Sequence, residues 1–143
     1  MLKVRDCMTR DIVSLSEDES AAAAARMMAR YNVGALPVRG RGGHLRGIVT
    51  DRDLVLRCVA SGETASSVPV GRIMTSRVVA VDPSDSVLRA AEIMAQEQVR
   101  RLPVVENGRL VGMVSLADVS RREDYSMEAA VALTEISRNV KRR

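Results

Sequence analysis

Short apolar runs and helix-spaced apolar stripes alternate along the 143 residues, and the whole series occurs twice in one order. A β-rich run at Ile12-Val13 returns as Val78-Val79. Ser16-Glu17-Asp18-Glu19 then reads as a capping box that opens a helix. In the second copy Asp82-Pro83-Ser84-Asp85 puts Asp at the cap and Pro at the first helical position, where its missing N–H costs nothing. Ala21, Ala24, Ala25 and Met28 form one apolar stripe, and Val87, Ala90, Ala91 and Met94 form the matching one. The spacing predicts a helix with one buried face in each copy, its methionines serving as core filler.

Residues 33–38 and 99–105 predict strands, with Pro37 and Pro103 at a strand start or edge because proline cannot donate to a ladder. A hairpin follows in each copy. Asn107-Gly108 is a strong two-residue turn signal, whereas Gly40-Arg41-Gly42-Gly43 makes a looser connection. The return strands, 45–49 and 110–114, run directly into a second helix. Each copy thus reads β-α-β-β-α, too small to bury its own faces. The expected fold class is α+β, with two such repeats packed about a pseudo-two-fold axis and a C-terminal helix appended. The expected divisions are repeat 1 over 1–62, a Ser/Thr-rich linker closed by proline over 63–69, repeat 2 over 70–122, and a C-terminal helix and basic tail over 123–143. Within that last part, Ala130, Leu133, Ile136 and Val140 share one helical face, and Lys141-Arg142-Arg143 suits the negative end of the helix dipole.

Composition narrows the function classes. The aromatic content is 1%, Tyr31 and Tyr125 only, which removes the stacking platform that single-stranded nucleic acid requires. A net charge of +4 comes almost wholly from arginine, the residue best suited to gripping phosphate. Cys7 and Cys58 are isolated and His44 is the single histidine, so neither a metal-ligand spacing nor a Cys/His or Ser/His constellation can be assembled. Cys7 stands where the second copy has Ile73, which marks it as a small buried hydrophobe. Two cysteines without a signal peptide point to a reducing, cytoplasmic setting, and no apolar run reaches membrane-spanning length.

The candidate chemistry lies where strand turns into helix. Gly47-Ile48-Val49-Thr50-Asp51-Arg52-Asp53 is repeated as Gly112-Met113-Val114-Ser115-Leu116-Ala117-Asp118. In one reading the hydroxyl and the carboxylate three residues on are a capping box and nothing more. In the other, the carboxylate and the free N–H groups of the first turn face a ligand that carries hydroxyls and phosphate. One copy alone favours the cap; the repeat raises the ligand reading.

Met8-Thr9 and Met74-Thr75, Leu36-Pro37-Val38 and Leu102-Pro103-Val104, and both Gly-x-x-Thr/Ser-x-x-Asp segments together resemble the CBS domain arranged as a tandem pair, the Bateman module of small stand-alone CBS proteins. That resemblance implies a regulatory module, not an enzyme, that binds adenosine-containing ligands (AMP, ADP, ATP, NAD or S-adenosylmethionine) in clefts between the repeats. It implies ribose contacts from Asp53 and Asp118, and ribose or phosphate contacts from Thr50 and Ser115. One site then joins Thr50 and Asp53 to Val78, Val79, Arg100 and Arg101, the arginine pair gripping phosphate. The other joins Ser115 and Asp118 to Ile12, Val13, Gly34 and Ala35, where no cation is available from the motif. The nucleotide is a regulatory ligand and no other cofactor is implied. A homodimer is the default assembly and an unidentified target protein receives the signal.

Two other readings compete. The basic C-terminal helix could serve a protein or nucleic-acid adaptor, whose signature is steeply salt-dependent binding; no recognised nucleic-acid reader accompanies it. Catalysis lacks a nucleophile–base pair, and Gly40-Arg41-Gly42-Gly43 lacks the Lys-Ser/Thr of a phosphate-binding loop.

Overall fold

The computed structural model describes residues 2–121 and 126–140. Two compact units form, Val13–Val78 and the described parts of Met1–Ile12 with Val79–Arg143. The first contains β1 (Leu15–Ser16), α1 (Ala21–Tyr31), β2 (Ala35–Arg39), β3 (Leu45–Thr50), α2 (Asp51–Leu54) running into a π-helical turn at Val55–Val59, and α3 (Val70–Ile73). Its sheet has the order β1-β2-β3, with β1 parallel and β3 antiparallel to the central strand. The second contains a 3-10 turn at Val4–Asp6, then α4 (Val87–Glu97), β4 (Arg101–Glu106), β5 (Arg109–Ser115), α5 (Leu116–Ser120) and α6 (Ser126–Val140). There Val81 bridges β4 in parallel, the single-residue counterpart of β1. The architecture is α+β, as the alternating periods predict.

Each unit takes in a segment from the other repeat's stretch of sequence. Residues preceding the first repeat's sheet pack in the second unit, where Thr9 and Met113 exchange both backbone hydrogen bonds at 2.8 and 2.9 Å. Thr75 and Ile48 do the same in the first unit, at 2.8 and 3.0 Å. The glycines of the repeated motif make this approach possible. A Cβ on Gly47 would lie 2.6 Å from the Thr75 carbonyl oxygen, and one on Gly112 would lie 2.9 Å from that of Thr9. The Met-Thr and Gly-x-x-Thr/Ser motifs, separate in sequence, are therefore two halves of one contact.

The cores follow the stripes except at Ala25, which is exposed on α1 where its counterpart Ala91 is buried. Leu15, Ala24, Leu36, Val38, Val49, Val70 and Ile73 fill the first unit, and Val4, Val87, Met94, Leu102, Val104, Val114 and Val119 fill the second. Cys58 is buried in the first core, and Cys7 packs half-buried against the second.

Several local expectations are corrected. Both long helices begin one turn later than read: Ser20 and Ser86 are the N-caps, accepting from the N–H groups of Ala23 and Arg89 at 3.1 and 3.0 Å. The upstream signals form free-standing turns instead. Glu19 accepts from the Ser16 N–H, and Asp82 accepts from the N–H and hydroxyl of Ser84. These Ser84 bonds hold the Asp82 carboxyl below the ordinary aspartate range, helped by the charge of Arg5. Ile12-Val13 and Val78-Val79 are not strands; among the described residues they lie unpaired between the bridges at Thr9 and Thr75 and the parallel pairing that begins at Leu15 and Val81. Pro37 and Pro103 lie inside strands β2 and β4. Pro103 is tolerated because its side of β4 meets only the single bridge at Val81, whose N–H donates to the Pro103 carbonyl. The turn prediction holds: Asn107 and Gly108 both adopt positive φ, 53° and 80°. Residues 63–69 are bonded to the first unit, the Val68 carbonyl accepting from the Ala21 N–H at 2.7 Å.

On α6 the buried face is Ala129, Ala132 and Ile136, packed on α4 and α5. Ala130 and Leu133 turn away from that seam. The alanines win the inner face because their small side chains let the helix lie close. Lys141, Arg142, Arg143 and Tyr125 lie outside the described residues, as does the side chain of Val140.

Candidate functional site

Each unit ends its hairpin in the same corner. Thr50 Oγ1 accepts from the Asp53 N–H at 3.0 Å while Asp53 Oδ2 accepts from the Thr50 N–H at 2.9 Å. Ser115 and Asp118 repeat this at 3.0 and 2.9 Å. The capping box is thus real in both copies. It does not exhaust the carboxylates, because each offers about four lone-pair directions and the cap takes one. The second oxygens differ. Asp53 Oδ1 lies 3.8 Å from Arg57 Nε, a loose ion pair, whereas Asp118 Oδ1 takes a hydrogen bond from Arg121 Nη1 at 3.1 Å. Arg57 is also drawn off by the carbonyls of Ile73 and Met74, at 3.0 and 3.2 Å. Asp53 therefore keeps more capacity for an outside donor.

Beside each corner stands the start of the neighbouring strand. Ala35 pairs with Thr50, and the Asp51 N–H donates to the Gly34 carbonyl at 2.9 Å. Correspondingly, Arg101 pairs with Ser115, and the Leu116 N–H donates to the Arg100 carbonyl at 2.8 Å. The two corners have opposite electrical character: Gly34, Ala35 and the exposed Asp51 in one, Arg100, Arg101 and Leu116 in the other. Within a unit, then, the structure groups Thr50 and Asp53 with Gly34 and Ala35, and Ser115 and Asp118 with Arg100 and Arg101. Ile12, Val13, Val78 and Val79 are half-buried, and the chain passes from one unit to the other at Ile12/Val13 and at Val78/Val79.

The second unit holds a cavity of about 610 Å³ at its corner, lined by Arg100, Arg101 and Ser115 and by Leu116, Ala117 and Ser120 of α5. Among the described residues, Ala129, Ala130 and Leu133 of α6 line it as well. Sequence reasoning missed this wall, since amphipathic spacing gives a helix a buried face but not an address. Both arginines are exposed, and neither has a side-chain partner among the described residues. Among those residues no group of three or more His, Cys, Asp or Glu could hold a metal ion.

The CBS domain family model matches residues 4–59 and again 70–125. The chain belongs to the CBS domain family. It carries the domain in tandem, and stand-alone CBS proteins of this kind are regulatory modules. It is 39% identical over 137 residues to the CBS domain-containing protein YhcV of Bacillus subtilis, covering 96% of each. It is 36% identical over 121 residues to Hypoxic response protein 1 of Mycobacterium tuberculosis, covering 85% of each. Among solved structures, Hypoxic Response Protein I with two coordinated zinc ions aligns at a TM-score of 0.77 and 36% identity, over 85% of this chain and 98% of that one. CBSX2 in complex with AMP aligns at 0.73 and 28%, over 85% and 95%. A hexameric CBS-CP12 protein from bloom-forming cyanobacteria aligns at 0.70 and 29%, over 89% and 74%. No helix among the described residues is long and apolar enough to cross a membrane.

Proposed function

We propose that this CBS pair senses adenosine-containing nucleotides, with AMP, ADP and ATP the first candidates and NAD or S-adenosylmethionine the others of that class. The observation that carries the reading is Arg100-Arg101, two exposed guanidinium groups without a described partner beside a capping-box corner. Such an unpaired, planar, permanently charged pair suits phosphate. The AMP complex of CBSX2, a relative in fold at 28% identity, supports the ligand class.

In this reading the stronger site joins Asp53 and Thr50 to Arg100, Arg101, Val78 and Val79. Asp53 takes the ribose hydroxyls, each such bond to a charged group contributing about 1.5–3 kcal/mol. The second site joins Ser115 and Asp118 to Ile12, Val13, Gly34 and Ala35. It is the weaker of the two, because Arg121 already occupies Asp118 and the Gly34 side brings Asp51 rather than a cation. Ligand binding is read out as a change in conformation or assembly toward an unidentified target protein. A homodimer is supported by the exposed apolar cluster Val55, Leu56 and Val59, which are 54%, 49% and 68% exposed on one turn.

Calorimetric titration of AMP and ATP tests this. The parent protein should bind in the micromolar range, about −8 kcal/mol. A double variant Arg100→Ala, Arg101→Ala should abolish binding with no change in ligand-free melting. Asp53→Ala should lose far more affinity than Asp118→Ala; equal losses would remove the asymmetry, and a parent indifferent to every adenosyl compound would remove the function.

A further inference from the structure

The cavity beside Arg100 and Arg101 has a composition that the sensing role does not explain by itself. Its rim is cationic, Ser115 and Ser120 add hydroxyls, and among the described residues those that α6 contributes are all apolar. Among the described residues no acidic side chain lines it, although α6 carries Glu128 and Glu135. The volume, about 610 Å³, falls within the range of small-molecule sites, roughly 300–1,000 Å³. Helix α6 lies beyond the residues matched by the CBS family model, which end at 125. It is held by the thin seam of Ala129, Ala132 and Ile136, which leaves Ala130 and Leu133 free to face other things.

We propose that α6 is a wall of the anion site: a phosphorylated ligand held by Arg100 and Arg101 lies against Ala129, Ala130 and Leu133. This rests on the nucleotide reading above and adds to it a regulatory consequence. A ligand that touches α6 stabilises the docked helix, and by linkage a docked helix tightens the ligand by the same factor. The C-terminal helix is then the element through which occupancy of the arginine pair is reported.

Leu133→Glu tests the placement, because it sets a carboxylate in the wall opposite the arginines and competes with the ligand's phosphate. The control is Met127→Glu, on the same helix but 73% exposed and lining a separate cavity against α4. Titration with AMP at fixed salt should show a loss of about tenfold or more for Leu133→Glu, as truncated or reversed charge pairs in binding sites do, and none for Met127→Glu. Hydrogen exchange should show added protection of α6 when AMP saturates the parent. If AMP binds the parent and Leu133→Glu binds it equally well, the wall is refuted while the nucleotide reading stands. If the parent binds no adenine nucleotide, that reading falls, and inorganic pyrophosphate, which needs only the arginine pair, becomes the probe. Pyrophosphate binding weakened by Leu133→Glu alone supports the wall; binding unaffected by it, or no binding at all, overturns it.

Discussion

The two units are built from the same elements, yet one is covered and the other is not. On α4, Ala91 is 3% exposed and lines the seam with α6, whereas its counterpart Ala25 on α1 is exposed. In the first unit the helix after the corner presents Val55, Leu56 and Val59 to solvent; the equivalent stretch of the second unit begins with Ser120 and Arg121. The corners diverge too, Gly34-Ala35 with Asp51 against Arg100-Arg101 with Leu116. A duplicated sequence pattern thus fixes shared backbone geometry and leaves the surfaces free to take different jobs. One half offers charge and a cavity; the other offers an open apolar face.

The largest effect expected from this contrast comes from placing a charge on the matched alanines. Ala91→Glu should destabilise the fold by about 2–4 kcal/mol, because it buries an unpaired carboxylate under α6 and overfills the seam. Ala25→Glu should stay within about 0.5 kcal/mol, as surface changes do. Urea unfolding of the two variants measures both, and equal costs would mean that α6 does not cover α4 in solution.

A smaller difference separates the two motif glycines. Gly47→Ala should cost about 1–3 kcal/mol, since the new Cβ meets a backbone carbonyl that cannot swing aside. Gly112→Ala should cost less, as its contact with the carbonyl is 0.3 Å longer, 2.9 against 2.6 Å, and the methionine sulfur met at both sites lies at 2.9 Å against 2.7 Å. Reversal of that order in thermal melting would argue against the exchanged Met-Thr segments.

The caps are the gentlest probe. Thr50→Ala and Ser115→Ala should each cost about 1 kcal/mol, the usual value for a lost N-cap. The two costs should match, because the capping distances agree within 0.1 Å in the two corners. Should AMP titration then show Thr50→Ala weaker than Ser115→Ala, the excess reports ligand contact and not helix stability.

Much was legible in the chain alone. The repeat, the α+β class, the hairpin at Asn107-Gly108, the capping boxes and the core stripes all follow from local periodicity and turn chemistry, which act over a few residues and leave their mark in order. Helix starts were read one turn early, because Ser16 and Asp82 carry cap-like signals that short turns satisfy equally well.

Long-range choices left no such mark. That Thr9 would pair with Met113 and Thr75 with Ile48 depends on which strand edge each segment meets, and only close packing at Gly112 and Gly47 decides it. The rotation of α6 was settled likewise: Ala129 and Ala132 went inward because two helices needed to approach, and this left Leu133 to line the same cavity as Arg100 and Arg101. The residue pattern determined what each element is; contact between elements distant in the chain, where burial and steric fit are judged together, determined what each one faces.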